Sequence, residues 1–327
     1  MTLGKVLTPA GGPLGPRFLV VSYLPTLFCA LLLLMLVWAG APSADLDPNR
    51  VWTTAAELGV GELVLLWLGI TLVAVVSHPL QLGLVRVLQG QWPRWLGPLA
   101  RFSSRRQERL RARLRRQAVV AGPGSGISQD VRNRMGEAQT DLRLRFPPTG
   151  IAAQPTALGN VIVAMEYVAG SAYCLDSVVV WPRLYPLLRP ESKAVVDDHR
   201  DAVDTGCRLA ATVAVTAVVA AGLLLRAGGY WLLIVFALFT LVRVAYRGAV
   251  SSAVGYGIAV NAAFDTHRFD LYKNLRLPFP ANPAAERAFN VKLSLHWRQG
   301  QPDQPPPEVE YCETGDAAGA GTQGSTP

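Results

Sequence analysis

Four apolar stretches without a charged residue constrain the fold of this 327-residue chain more than any other feature. They are Phe18–Ala41, Leu63–Val85, Leu209–Leu225 and Ala227–Val242. A helix needs about 20 apolar residues to cross a hydrocarbon core of about 30 Å, and arginines beside the two shorter stretches can extend their usable length. The clustering excludes a simple soluble protein. It predicts an all-α polytopic membrane protein with four transmembrane helices in two hairpins and a cytosolic helical domain between them.

Two alternatives apply to these stretches. The first stretch, with Lys5 and Arg17 before it and a small-residue box at Ala39–Ala41, also fits a cleaved signal peptide. However, the apolar core of a signal peptide is usually about 7 to 15 residues long, and Pro42 should hinder cleavage. The last two stretches could form a re-entrant hairpin. We expect a retained first helix and two full crossings by the second pair.

The basic residues beside the stretches predict the orientation. With both termini inside, the cytosolic flanks carry eleven Lys and Arg and the outer loops carry two, Arg50 and Arg226. Basic residues near short loops resist translocation, so both termini are expected in the cytosol. The preference for Arg over Lys, together with abundant Ala, Gly and Pro, is typical of a GC-rich bacterial genome. We therefore predict a multi-pass protein of the bacterial plasma membrane.

The stretches also divide the chain into six parts. We expect residues 1–17 as a cytosolic N-terminus, 18–85 as the first transmembrane hairpin, 86–206 as the cytosolic helical domain, 207–246 as the second hairpin, 247–298 as cytosolic helices and 299–327 as a disordered acidic tail. The tail carries five acidic residues and no basic one, a composition typical of disorder.

Helical periodicity recurs within the predicted cytosolic domain. One helix is expected over Pro98–Ala121, with an apolar side made of Leu99, Phe102, Leu110, Leu114 and Ala118. A Gly-rich turn separates it from a second helix that ends at Pro147, so the two should pair as a helical hairpin. The apolar run Leu175–Leu188, interrupted by two prolines, should lie at the membrane surface or plug the domain. Pro190 should begin a long helix that enters the third span.

The basic run is the strongest candidate site. Between residues 94 and 116 the only acidic residue is Glu108, and each basic group near an anionic leaflet contributes about 1 kcal/mol of attraction. The alternative is that the run only fixes the topology. Nucleic acid is an unexpected partner because no aromatic residues interleave the arginines for base stacking. The predicted anionic-lipid contacts are Arg94, Arg101, Arg105, Arg106, Arg109, Arg111, Arg113, Arg115 and Arg116.

Two weaker sets of residues stand out. Asp265, His267 and Asp270 place an imidazole near two carboxylates, although packing and local hydrogen bonds are the more common role of such a group. Alanines at 210, 214, 217 and 221 share one helix face and would allow close helix packing; the alternative is that alanine is simply common here. This packing face consists of Ala210, Ala214, Ala217 and Ala221. We predict no catalytic set, no metal site and no cofactor.

Three segments resemble a known kind of protein. These segments are LGN at Leu158–Asn160, LDSVVVWPRLYPLL at Leu175–Leu188 and AFDTHRFDLY at Ala263–Tyr272. Together they resemble a group of uncharacterised multi-pass membrane proteins from GC-rich Gram-positive bacteria, over most of the chain up to Trp297. The resemblance implies a membrane location and a shared architecture, and it transfers no functional residue.

These patterns favour a scaffold or interaction protein whose basic cytosolic domain lies against the membrane. The expected partners are the lipid bilayer with its anionic headgroups, a second copy of the chain or another membrane protein. The alternative is a subunit of an oligomeric channel or transporter. The absence of Asp, Glu, Lys and Arg from the four stretches argues against ion coupling. A membrane enzyme ranks third, since the sequence offers no catalytic set.

Overall fold

The computed structural model describes residues 24–43, 45–118, 128–227 and 229–299, apart from the side chains of 74–82 and 299. Every regular element in these ranges is helical, which confirms the all-α prediction. Most of the predicted acidic tail, the predicted N-terminus and the start of the first apolar stretch lie outside the described residues.

Ten α-helices occupy the described ranges, with short 3-10 turns between some of them. They are α1 (Leu24–Trp38), α2 (Pro48–Glu57), α3 (Val60–Leu88), α4 (Gly97–Ala118), α5 (Gln129–Arg145), α6 (Ala157–Val168), α7 (Ser177–Leu184), α8 (Pro190–Leu224), α9 (Leu232–Asn274) and α10 (Pro283–Gln299). The long helix predicted to start at Pro190 is confirmed, with proline at its first position.

Two helices are long and apolar enough to cross a membrane: α8, and α9 together with the turn before it. Two bent helix pairs would raise the number to four if each pair counted as one span. They are 48–57 with 60–73, bent by 115°, and 157–173 with 177–187, bent by 77°. Helix α1 is apolar but has only 15 residues in the described part. The described chain thus holds two to four candidate spans, as expected of a membrane protein.

Helix α8 lies at the centre of an apolar bundle, which we define as α1, α3, α8 and the first part of α9. It packs against each of the other three helices. The shared core includes Leu36 from α1, Val213, Ala217 and Leu224 from α8, and Leu238 from α9. A β-carbon built on Gly206 would lie only 3.0 Å from the Cβ of Ala249, so α8 and α9 approach closely where they leave this core.

Helices α6 and α7, the start of α8 and the second part of α9 form a helical domain beyond the bundle. The apolar run Leu175–Leu188 packs into the core of this domain, which is the second of the two positions expected for it. Trp181 is buried and stacks on Phe264 with their ring centroids 6.0 Å apart. Helix α9 also runs unbroken through 248–264, so this segment prolongs the apolar part of the helix that precedes it.

Helices α4 and α5 pair as a helical hairpin, as predicted, but the predicted apolar side of α4 is confirmed only toward its C-terminal end. Ala118 is buried and Leu114 is half-buried, whereas Leu99, Phe102 and Leu110 are exposed and Arg111 is buried in their place. The physical reason is that backbone carbonyls of the following segment hydrogen-bond the Arg111 guanidinium, so the helix turns its arginine inward and part of its apolar surface outward.

Helix α10 closes the domain on the side of α7. Asn282 caps it by accepting a hydrogen bond from the Ala285 amide at 2.9 Å, as its position before Pro283 predicts. Asn290 is buried, accepts the Tyr272 hydroxyl at 2.6 Å and donates to the carbonyl of Tyr173 at 2.9 Å. This amide therefore ties α10 to α9 and to the segment before α7.

Candidate functional site

The arginines of the basic run do not share one environment. Seven of the nine predicted lipid contacts are exposed and Arg115 is half-buried. The exposed ones are Arg94, Arg101, Arg105, Arg106, Arg109, Arg113 and Arg116. Arg111 differs from all of them, since only 3% of its surface is exposed. We therefore leave Arg111 out of the surface that can meet a membrane.

Arg111 instead organises the connection between α5 and α6. Its guanidinium donates to the carbonyls of Pro147, Pro148 and Ile151 at 2.8, 2.7 and 2.9 Å, and it pairs with Glu108 at 3.1 Å. The position just beyond the C-terminal end of α5 also favours a positive charge. A buried charge is tolerated here because it is paired with a carboxylate and both terminal nitrogens of the guanidinium donate hydrogen bonds. Arg111 thus holds the loop after α5 against α4.

An apolar strip lies on the outward side of the same region, made of Trp95, Leu99 and Phe102. Their exposed fractions are 79%, 52% and 69%. Leu99 and Phe102, three residues apart, share one face of α4. Arg106 continues that face one turn further, and Trp95 lies in the 3-10 turn directly before the helix. The strip begins seven residues after the end of α3, and the Trp92 indole, 3.0 Å from the carbonyl of Val87, fixes the connection. Exposed aromatic residues and arginines therefore lie side by side, close to the apolar bundle.

A groove of about 500 Å³ runs between α4 and the segment before α6. Two hydrogen bonds fix its walls: the Ser103 hydroxyl donates to the carbonyl of Pro155 at 2.5 Å, and Glu108 accepts from the amide of Ala153 at 2.8 Å. Its lining consists of Ala100, Arg101, Ser104, Arg105, Glu108, Arg109, Ala152 and Ala153. The groove thus has a small-residue wall facing a row of arginines.

The predicted polar cluster is brought together only in part. His267 is buried, with Nδ1 2.9 Å from Asp270 Oδ2 and Nε2 3.2 Å from the Ser192 hydroxyl. Asp265 lies apart from this set, since its carboxylate is hydrogen-bonded to the Tyr173 side chain. Within the described ranges no group of three or more metal-ligating residues is close enough to hold a metal ion.

Ser192 is the partner that sequence reasoning missed, because it lies 75 residues from His267 and no local pattern connects the two. When Nδ1 donates its proton to Asp270, Nε2 accepts the Ser192 hydroxyl proton. This order of groups is that of a nucleophile, base and acid. Here the imidazole is only 2% exposed, so we interpret the arrangement as a tie between the start of α8 and α9.

The alanine face of α8 lies mostly in contact with other helices. Ala210 and Ala217 are fully buried, while Ala214 and Ala221 are half-buried. Ala220, which the predicted face omits, is also fully buried. The packed face is therefore centred between the predicted alanines and Ala220, on the side of α8 that meets the bundle core.

The LGN segment has a structural role. Gly159 lies against the carbonyl oxygen of Gln89, which would be 2.5 Å from a β-carbon at that position. Asn160 is buried, donates to the carbonyls of Gln154 and Thr156 at 3.2 and 3.0 Å, and accepts from the amide of Gln154 at 2.7 Å. These contacts fix the start of α6 against the end of α3.

Comparison with known proteins supplies no relative from which a function can be transferred. No family model matches the chain, and neither a curated protein nor a solved structure matches it. The resemblance to multi-pass proteins of Gram-positive bacteria stays a prediction. The apolar strip, the exposed arginines and the groove are the features of the described chain that bear on its function.

Proposed function

We propose that the chain is an integral protein of the bacterial plasma membrane that acts as a scaffold, with its helical domain held against the inner leaflet. In this proposal four helices cross the membrane in two hairpins and both termini are cytosolic. The observation that carries the proposal is the outward side of α4, where the apolar strip and exposed arginines lie next to the apolar bundle.

The physical chemistry of an interface supports this surface as a lipid contact. Tryptophan prefers the headgroup depth of a bilayer because its ring is apolar and its N–H is polar. Each arginine near an anionic leaflet contributes about 1 kcal/mol of attraction. Burial of the strip in the interface adds about 25 cal/mol per Å² of apolar surface removed from water. Apolar and electrostatic contributions act on the same face of one helix.

A membrane-bound scaffold also needs a protein partner. A second copy of the chain and another membrane protein are both compatible with the exposed sides of the bundle, where Phe236 and Leu233 face outward. The alternative of a channel or transporter subunit stays a prediction.

Topology is the first test. Reporter fusions at Pro48 and Gly228 should report an outer location, and fusions at Gly124 and Gly315 a cytosolic one, because basic residues cluster on the cytosolic flanks. Paired alkaline phosphatase and fluorescent-protein fusions measure both locations. An outer location for Gly124 would overturn the whole orientation and, with it, the inner-leaflet contact.

The lipid contact of α4 is the second test. A spin label at Leu99, in full-length protein with its native cysteines replaced, should become accessible to oxygen and protected from a water-soluble relaxation agent in anionic nanodiscs. The reason is that the strip enters the interface when the arginines meet anionic headgroups. Salt should weaken the effect, since the attraction is screened over about 10 Å at 0.1 M.

The matched control is a label at Asn133, an exposed position of the paired helix α5. It should remain accessible to the water-soluble agent in anionic and neutral nanodiscs alike. Equal accessibility of the labels at Leu99 and Asn133 in anionic nanodiscs would show that α4 does not lie on the membrane.

A further inference from the structure

The groove beside α4 carries an inference about which lipid the helical domain binds, and this inference rests on the proposed function. Arg101, Arg105 and Arg109 follow one another at four-residue intervals along the groove. Among the residues that the structure describes, none of these three forms an ion pair with a carboxylate. The groove therefore offers three positive charges to a ligand.

The negative charge of Glu108, which also lines the groove, does not cancel the charges of these three arginines. Glu108 pairs with the buried Arg111 at 3.1 Å and accepts the Ala153 amide at 2.8 Å. Its carboxylate is thus matched by an arginine that faces away from solvent. The three groove arginines keep their charge for an anion, and the hydrogen bonds of Glu108 hold the opposite wall in place.

The spacing of the arginines indicates the number of phosphates. Four residues of α-helix rise about 6 Å, so the Cα atoms of Arg101 and Arg109 lie about 12 Å apart. Arginine binds phosphate through paired N–H donors in a fixed plane. One phosphate can therefore meet two neighbouring guanidinium groups, whereas two linked phosphates engage all three.

We propose that the groove binds a lipid headgroup that carries two phosphates. The apolar strip supports a lipid over a soluble diphosphate, because the exposed Phe102 lies three residues before Arg105, next to it on the helix surface, and leaves apolar surface beside the groove for acyl chains. A volume of about 500 Å³ is also within the range of small-molecule sites.

Native mass spectrometry of the detergent-solubilised full-length protein tests the proposal. Cardiolipin, which carries two phosphates, should bind one per chain and more tightly than phosphatidylglycerol at equal total phosphate. The variant R101Q/R105Q/R109Q should lose cardiolipin affinity by about tenfold or more, as expected when charge-assisted hydrogen bonds are removed. The matched variant R132Q/R134Q/R143Q removes the same charge from exposed positions of the paired helix α5, outside the groove and the proposed lipid contact, and should lose about twofold or less.

Each other outcome has a separate meaning. Equal loss in both triple variants would overturn the groove but leave the proposed surface contact intact. No loss in either variant would contradict the groove and the electrostatic part of the proposed function together. Inorganic pyrophosphate is the soluble probe: if it binds the wild-type protein and cardiolipin does not, the ligand is a soluble diphosphate and the lipid proposal is wrong.

Circular dichroism is the folding control. The wild-type protein and both triple variants should show equal helicity, because the replaced side chains are exposed.

Discussion

Replacement of Arg111 by methionine should lower the free energy of unfolding by about 3 kcal/mol, the largest effect we expect from a single substitution. Methionine keeps much of the length of the side chain but donates no hydrogen bond. The carbonyls of Pro147, Pro148 and Ile151 would lose their shared donor, and Glu108 would lose its cation. Thermal unfolding in detergent should show a fall in Tm of roughly 5–10 °C.

Arg113→Met is the matched control, since Arg113 is an exposed arginine of the same helix. Its effect should stay within about 0.5 kcal/mol, as for most surface substitutions. If R111M and R113M melt at the same temperature, the guanidinium of Arg111 does not hold the loop after α5.

Gly159→Ala should be the second largest change, with a loss of about 2 kcal/mol. The added methyl would lie 2.5 Å from the carbonyl oxygen of Gln89 and 2.9 Å from the Thr156 hydroxyl, so backbone has to move. Such overpacking costs about 1 to 3 kcal/mol or more, and the better helix propensity of alanine offsets up to about 1 kcal/mol. Thermal unfolding of the purified protein measures the difference.

Gly136→Ala provides the control for Gly159 because it makes the same chemical change in helix α5, where nothing lies within 4 Å of the added carbon. It should stabilise the protein by up to about 1 kcal/mol. A G159A protein as stable as G136A would mean that the start of α6 does not lie against the end of α3.

The sequence predicts those features that depend on neighbours along the chain. Pro190 begins α8 because proline fits the first turn of a helix, and Asn282 caps α10 because a short polar side chain can bond the free amides there. The paired helices α4 and α5 likewise follow from local periodicity and a Gly-rich turn. The number of membrane crossings depends on the thickness of the surrounding bilayer as well as on the length of the apolar helices.

Contacts between distant segments could not be predicted in this way. Helical periodicity does not distinguish the nine arginines of the basic run from one another. Arg111 is the buried one because its guanidinium donates to backbone carbonyls that lie 36 to 40 residues away in the sequence. Ser192 and His267 meet because α8 and α9 pack side by side. The groove likewise exists because Ser103 and Glu108 bind the segment before α6. Each of these features requires the tertiary structure.

The unbroken length of α9 has a mechanical consequence. With 43 residues it is about 65 Å long, and it belongs to the bundle at one end and to the domain core at the other. Helices change their tilt when the thickness of the bilayer changes. A rigid rod of this length converts a tilt of about 10° at one end into a displacement of about 11 Å at the other. Since Gly206 lets α8 lie directly against α9, a change in the tilt of the bundle would be carried to the domain core through two packed helices.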